Sequence, residues 1–182
     1  MTTALSAGFA HPPRNVAAFG VEPGMAIADF GAGSGAYVLE IAALLKNEGH
    51  IYAVDVQKDL LRRIKNEANA RGYKNVEIIW GDLEKEKGSH IASDHIDLVL
   101  ISNILFQVDP KEPLLVEAMR ILKPGGKLVV IDWADSYGGM GPTKAHVVKK
   151  DAALALARSA GFAAVREFDA GVHHYGLIFA KS

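Results

Sequence analysis

The chain has 182 residues, 49% hydrophobic and 23% charged, enough for one sizeable core and too few for two comfortable ones. Its formal net charge of -1 offers no strong field to nucleic acid or an anionic membrane, and the lack of cysteine removes disulfides, thiolate metal sites and cysteine nucleophiles. No apolar run reaches membrane-spanning length and Met1–Ala10 carries no basic residue, so neither a span nor a secretory signal is expected, and a cytoplasmic protein is the default.

Residues 1–24 read as an N-terminal arm over the surface with a short helix at Asn15–Phe19, and residues 25–182 as a single domain. A first strand at Met25–Phe30 runs into Gly31-Ala-Gly-Ser-Gly35 and then an apolar-rich helix, Tyr37–Lys46. Gly31 allows a sharp turn, Gly33 lets a ligand approach bare backbone, and Gly35 or Ala36 lets the helix pack close to the strand. The helix start turns unpaired N–H groups and a partial positive charge toward the loop. The same pattern also serves as a tight turn that holds no ligand.

Gly49 is available as the left-handed stop of that helix. His50–Asp55 is the second strand, and Lys58–Arg71 shows Leu60, Leu61, Ile64 and Ala68 as a helical stripe. Its basic side, Arg62, Arg63, Lys65 and Arg71, is broken by Glu67 and reads as a solvated face rather than a nucleic-acid surface. Val76–Trp80 is the third strand. Gly81–Asp94 is mostly loop; His90 and His95 lack a helical setting, so exposed side chains are expected there and no metal site.

Ile96–Ser102 is the fourth strand. A helix begins around Pro110 and Pro113 and reaches Leu122, Lys123–Gly126 ends it, and Lys127–Trp133 is the fifth strand. A glycine-rich loop, Ser136–Pro142, precedes a helix at Lys144–Ala160. Ala163–Phe168 and Tyr175–Ala180 are close enough in sequence to pair as an antiparallel hairpin. Strands alternating with helices predict an α/β fold, a mainly parallel sheet covered on both faces with the glycine loop at its carboxyl edge.

Asp55 ends the second strand twenty residues after Gly35, where a carboxylate can accept two hydrogen bonds from a ribose diol or cap the next helix. Nicotinamide and sulfonium nucleotides share that much. Asp29, two residues before Gly31, would repel a pyrophosphate and favour the cationic amino and sulfonium groups of S-adenosylmethionine. Asp82, after the third strand, suits either an adenine amino group or a turn.

Ile27-Ala-Asp-Phe-Gly-Ala-Gly-Ser-Gly35, Ala53-Val-Asp55, Gly81-Asp82, Asp97-Leu-Val-Leu-Ile-Ser-Asn103 and Leu122-Lys-Pro-Gly-Gly-Lys-Leu-Val-Val-Ile131 follow one another in an order that resembles the Rossmann-like S-adenosylmethionine-dependent methyltransferases. The resemblance covers Met25 to Lys181. It implies a three-layer Rossmann-like sandwich around a mainly parallel seven-stranded sheet with an antiparallel last strand. It also implies S-adenosylmethionine as cofactor, with Gly31, Gly33 and Gly35 at the methionine moiety, Asp55 at the ribose, Asp82 and Leu83 at adenine, and Asn103 beside the sulfonium; Asp29 and Val56 join them as expected cofactor-binding residues.

The activity implied is methyl transfer by in-line displacement to an unidentified, small-molecule acceptor. The alternatives are a non-catalytic cofactor-binding partner subunit and a nicotinamide oxidoreductase, the latter opposed by Asp29 and the hairpin end. No Asn/Asp-Pro-Pro-aromatic run follows the fourth strand, which argues against amino-methylation of DNA bases; the absence of cysteine argues against arsenic. Candidate general bases are His173 and His174, expected at the carboxyl edge, with His146 also considered. Trp133 and Tyr137 suit an acceptor pocket or plain packing. The arm before Arg14, the Ser136–Pro142 loop or a second subunit can serve as lid.

Overall fold

The computed structural model describes residues 10–182. The elements follow as α1 (Pro12–Val16), β1 (Ala26–Phe30), α2 (Ala36–Leu45), β2 (His50–Asp55), α3 (Lys58–Ala70), β3 (Val76–Trp80), β4 (Ile96–Ser102), α4 (Glu112–Ile121), β5 (Leu122–Trp133), α5 (Lys150–Ser159), β6 (Phe162–Gly171) and β7 (His174–Lys181). They build one seven-stranded sheet of order β3-β2-β1-β4-β5-β7-β6. β1 to β5 are parallel neighbours, and β7 runs antiparallel to both β5 and β6. This is the Rossmann-like sandwich with its single reversed last strand.

The period-two alternation of the central strands assigns their side chains to two layers. Ala28, Phe30, Val99, Ile101, Leu128 and Val130 meet Leu114, Ala118 and Ile121 of α4 and Ala153 and Ala157 of α5. Ile27, Ile51, Ala53, Leu98, Leu100, Val129 and Ile131 meet Val38, Ile41 and Leu45 of α2 and Leu61, Ile64 and Ala68 of α3. Both layers are apolar, which is why β4 and β5 read as unbroken hydrophobic runs. Order reverses between β1 and β4, so a crevice opens at their carboxyl ends.

Several boundaries differ from expectation. The short helix lies at Pro12–Val16, with both prolines in its first positions where a missing N–H costs nothing. Residues 1–9 of the expected surface arm lie outside the described residues. Helix α2 stops at Lys46, itself left-handed at φ 52°, rather than waiting for Gly49. The ladder between β4 and β5 already pairs Ile96 with Leu122, so Lys123–Gly126 is an irregularity inside β5 and not a separate helix stop. The helix expected from Lys144 begins only at Lys150. Before it, Thr143 Oγ1 bonds His146 Nδ1 at 2.7 Å, a local bond that competes with helix formation.

Candidate active site

The crevice is a cavity of about 490 Å³ at the carboxyl ends of β1, β2, β3 and β4. It is walled by Asp29, the Gly31–Ser34 turn, Tyr37, Asp55–Gln57, Gly81–Glu84 and Ser102–Ile104, together with Gln107, Val108, Ala10 and Pro12. The structure therefore brings Asp29, Gly31, Gly33, Asp55, Val56, Asp82, Leu83 and Asn103 onto one wall system. Gly35 lies just behind it as the N-cap of α2, left-handed at φ 80°.

The three loop glycines have different duties. A Cβ at Gly31 would lie 2.2 Å from Ile104, and one at Gly35 would lie 2.5 Å from Ile64 of α3. Those two are small so that protein can pack; for Gly35 the close neighbour is α3 rather than the preceding strand. A Cβ at Gly33 would meet nothing nearer than the Gly31 carbonyl oxygen at 3.8 Å. Gly33 is the position where backbone stays open to the crevice.

Asp55 holds the turn in shape. Its Oδ2 accepts the Gly33 N–H at 2.9 Å and its Oδ1 accepts the Gln57 N–H at 2.8 Å. Each oxygen keeps a second lone pair for a ligand hydroxyl. Behind this corner, Trp80 Nε1 donates to the Val56 carbonyl at 3.1 Å, and the Lys58 ammonium lies 4.0 Å from the Trp80 ring centre. Asp82 serves the turn, its Oδ1 accepting the Glu84 N–H at 3.1 Å, and it also lines the crevice.

Asp29 is 2% exposed, and burial, followed by the neighbouring Asp55 charge, pushes its pKa up to about 7. A buried carboxylate facing a second carboxylate is a poor arrangement by itself and a good one for a cation. Tyr37 closes the same floor. Its hydroxyl receives the Asn15 Nδ2 bond at 3.0 Å, and the same amide nitrogen reaches the Ala170 carbonyl at 3.1 Å. The arm helix is thus fastened to the crevice and to the end of β6, with Arg14 paired to Asp169 beside it.

The turn after β4 is pinned from β5. Asp132, fully buried, accepts the Leu105 N–H at 2.9 Å and its neighbour Trp133's N–H at 2.8 Å. Burial raises its pKa to about 6 against the pull of those donors. Asn103 is left-handed at φ 57°, and its side-chain oxygen is buried with no partner. Both features carry a cost, which structures retain mostly where a residue is held for function.

His173 and His174 do reach the carboxyl edge, since His174 pairs with Trp133 at the end of β5. Neither lines the crevice. His173 Nδ1 is bound to Asp135 at 2.8 Å and its ring stacks on Tyr137, with centroids 3.9 Å apart. His174 lies against Trp133, centroids 4.4 Å apart, with both ring nitrogens buried and unpartnered. Burial and the adjacent His173 push its pKa down to about 4. A Cβ at Gly141 would stand 2.4 Å from the Trp133 indole, so the glycine-rich loop rests on that ring. Tyr37, Gln57, Glu84, Gln107 and Val108 are wall residues that motif reading passed over. The signal available for Tyr37 and Gln57 was adjacency, one residue inside the helix and two past Asp55.

The fold and the crevice are those of a Rossmann-like α/β domain with a carboxylate, Asp55, at the end of its second strand beside the glycine turn. The chain belongs to the family described as the methyltransferase domain, which matches residues 21–171. It is 28% identical over 116 residues to the ubiquinone/menaquinone biosynthesis C-methyltransferase of Vibrio parahaemolyticus and 29% identical over 116 residues to that of Ectopseudomonas mendocina. The matches cover 63% of this chain and 44% of each relative, so the chain spans less than half the length of these proteins. A methyltransferase structure from Aquifex aeolicus superposes over 100% of this chain and 94% of its own with TM-score 0.86 at 23% identity. The [4+2]-cyclase SpnF superposes over 93% of this chain and 79% of its own with TM-score 0.77 at 18% identity. These likenesses concern the fold, which can carry more than one reaction.

Proposed function

We propose that this chain binds S-adenosylmethionine in the crevice and passes its methyl group to a small-molecule acceptor lodged on the Asn103–Val108 side. The observation that carries the reading is Asp55, whose two oxygens shape the glycine turn while keeping lone pairs for the ribose. The site fits the cofactor in three further respects: open backbone at Gly33, a cation-seeking Asp29, and, among the described residues, no Lys, Arg or His on the wall to attract a pyrophosphate. When bound, S-adenosylmethionine supplies a methyl group already activated on sulfur. The chain's own part is to orient and to exclude water. Asp55 and Val56 hold the ribose, Asp82 and Leu83 the adenine, Asp29 the cationic end, and Asn103 stands where the acceptor arrives.

Thermal shift tests this directly, because a ligand at about 100 times its dissociation constant adds roughly 2.7 kcal/mol of apparent stability. S-adenosylhomocysteine is expected to raise the melting temperature and NAD to leave it where it was. Stabilisation by NAD alone would replace the reading with a nicotinamide enzyme.

The assignment of a general base to His173 or His174 requires the hairpin end and the Ser136–Pro142 loop to close over the crevice, since neither ring lines it. As a base, either histidine replaced by Gln should cost on the order of 10²–10⁴-fold in rate. Rates unchanged in both variants would remove the pair from the chemistry.

A further inference from the structure

We propose that the acceptor meets the methyl group as an uncharged nucleophile carried on an apolar body, and that the crevice refuses anionic acceptors. This rests on the cofactor reading above and adds the substrate class. The walls carry it. Asp29, Asp55, Asp82 and Glu84 line the crevice, and no Lys, Arg or His among the described residues does. Residues 1–9 contain no charged side chain either.

Strand order places the charges. Asp55 ends β2, Asp82 and Glu84 follow β3, and Asp29 belongs to β1; the segment after β4 lies across β1 from the first three. That side offers Ile104 and Val108, the amides of Asn103 and Gln107, and, from the arm, Ala10 and Pro12. Neither nearby cation lines it: Arg14 is paired with Asp169, and Lys111, which keeps its charge, turns its Nζ to the Val108 carbonyl at 2.9 Å. An acceptor carboxylate or phosphate would leave water with no cation to meet it and several carboxylates to repel it.

The transfer itself favours the same class. With an uncharged nucleophile, its electron pair forms the bond to the methyl carbon while the electrons of the breaking S–C bond pass to sulfur. The single positive charge moves from sulfur to the methylated acceptor, which then loses its proton to water. The acidic crevice therefore faces one positive charge from start to finish. An anionic nucleophile would cancel that charge in the transition state, and the surrounding carboxylates would oppose the loss. No proton has to be removed beforehand, so for this class of acceptor the His173 and His174 variants described above should keep their rates, and a general base from that pair would serve only an acceptor outside it.

The test uses the protein saturated with S-adenosylhomocysteine and four probes of similar shape: aniline, hydroquinone, benzoate and phenyl phosphate, observed by saturation-transfer NMR. The thermal shift with S-adenosylhomocysteine comes first; its absence sinks the cofactor reading, whatever the probes do. Given that shift, aniline or hydroquinone should bind more tightly than both anions by about tenfold or more, the weight of one charge-assisted bond. Which of the two binds separates a nitrogen acceptor from an electron-rich aromatic one. Val108→Lys should let benzoate in by a similar factor, with the shift in the same variant reporting that the cofactor site survives. Binding of benzoate or phenyl phosphate to the wild type as tightly as the uncharged probes overturns the inference. So does failure of both uncharged probes to bind.

Discussion

Replacing Asp55 by Ala should weaken S-adenosylhomocysteine binding by on the order of 10- to 150-fold for each ribose hydrogen bond lost, since bonds to a charged acceptor contribute roughly 1.5–3 kcal/mol. The structure adds a second cost. Gly33 and Gln57 lose the acceptor of their N–H groups, in a corner where Asp55 is only 7% exposed. Stranding a buried donor costs about 1–3 kcal/mol, so the ligand-free variant should also melt earlier. Asp55→Asn cannot be a mild change: one of its two terminal atoms becomes an NH₂ directed at a backbone N–H. Calorimetric titration and melting of both variants check this. An Ala variant that binds S-adenosylhomocysteine within about threefold of wild type would remove Asp55 from the ribose site.

Asp29→Asn should do the opposite to the ligand-free protein and the same to the complex. A carboxyl whose folded pKa is raised from 3.8 to about 7 stays protonated in the fold where the unfolded chain has already ionised. Between those two values the folded state holds more protons, so stability falls as pH rises; below the lower value nothing is lost. Asn never ionises. Its advantage should be absent near pH 4, grow through pH 7 and then level off at about 2–4 kcal/mol, one pKa unit corresponding to about 1.4 kcal/mol. The ligand works the other way, because a cationic group favours the ionised form. Wild-type affinity for S-adenosylmethionine should drop below about pH 7, by at most about tenfold per pH unit, while the Asn variant should bind weakly at every pH. Melting curves from pH 4 to pH 9, and titrations in buffers of different ionisation enthalpy, separate the two effects. An Asn variant less stable than wild type at pH 8 would show that the carboxylate is satisfied by the fold itself. A site that destabilises its own empty state is a common consequence of building for a ligand.

The succession of strands and helices, the glycine turn and the carboxylate that ends the second strand were legible because each is written in neighbouring residues. Short, β-rich apolar runs at His50–Asp55, Val76–Trp80 and Ile96–Ser102 coincide with β2, β3 and β4 to the residue. Gly31, Gly33 and Asp55 announce themselves by spacing. Local chemistry also explains the misses. Lys46 closes α2 in a conformation that glycine adopts more readily, and the Thr143–His146 bond keeps residues before Lys150 from extending α5. The sequence by itself determined the alternation of strands and helices, the mainly parallel sheet and the placing of the glycine turn at its carboxyl edge. Only the tertiary structure decided what depends on groups far apart in the chain. It set Asn15 against Tyr37, buried Asp29 beside Asp55, hung the turn after β4 on Asp132, and packed His174 on Trp133 and His173 on Tyr137 instead of on the wall. Burial and desolvation are properties of the assembled neighbourhood, and no single stretch of residues carries them.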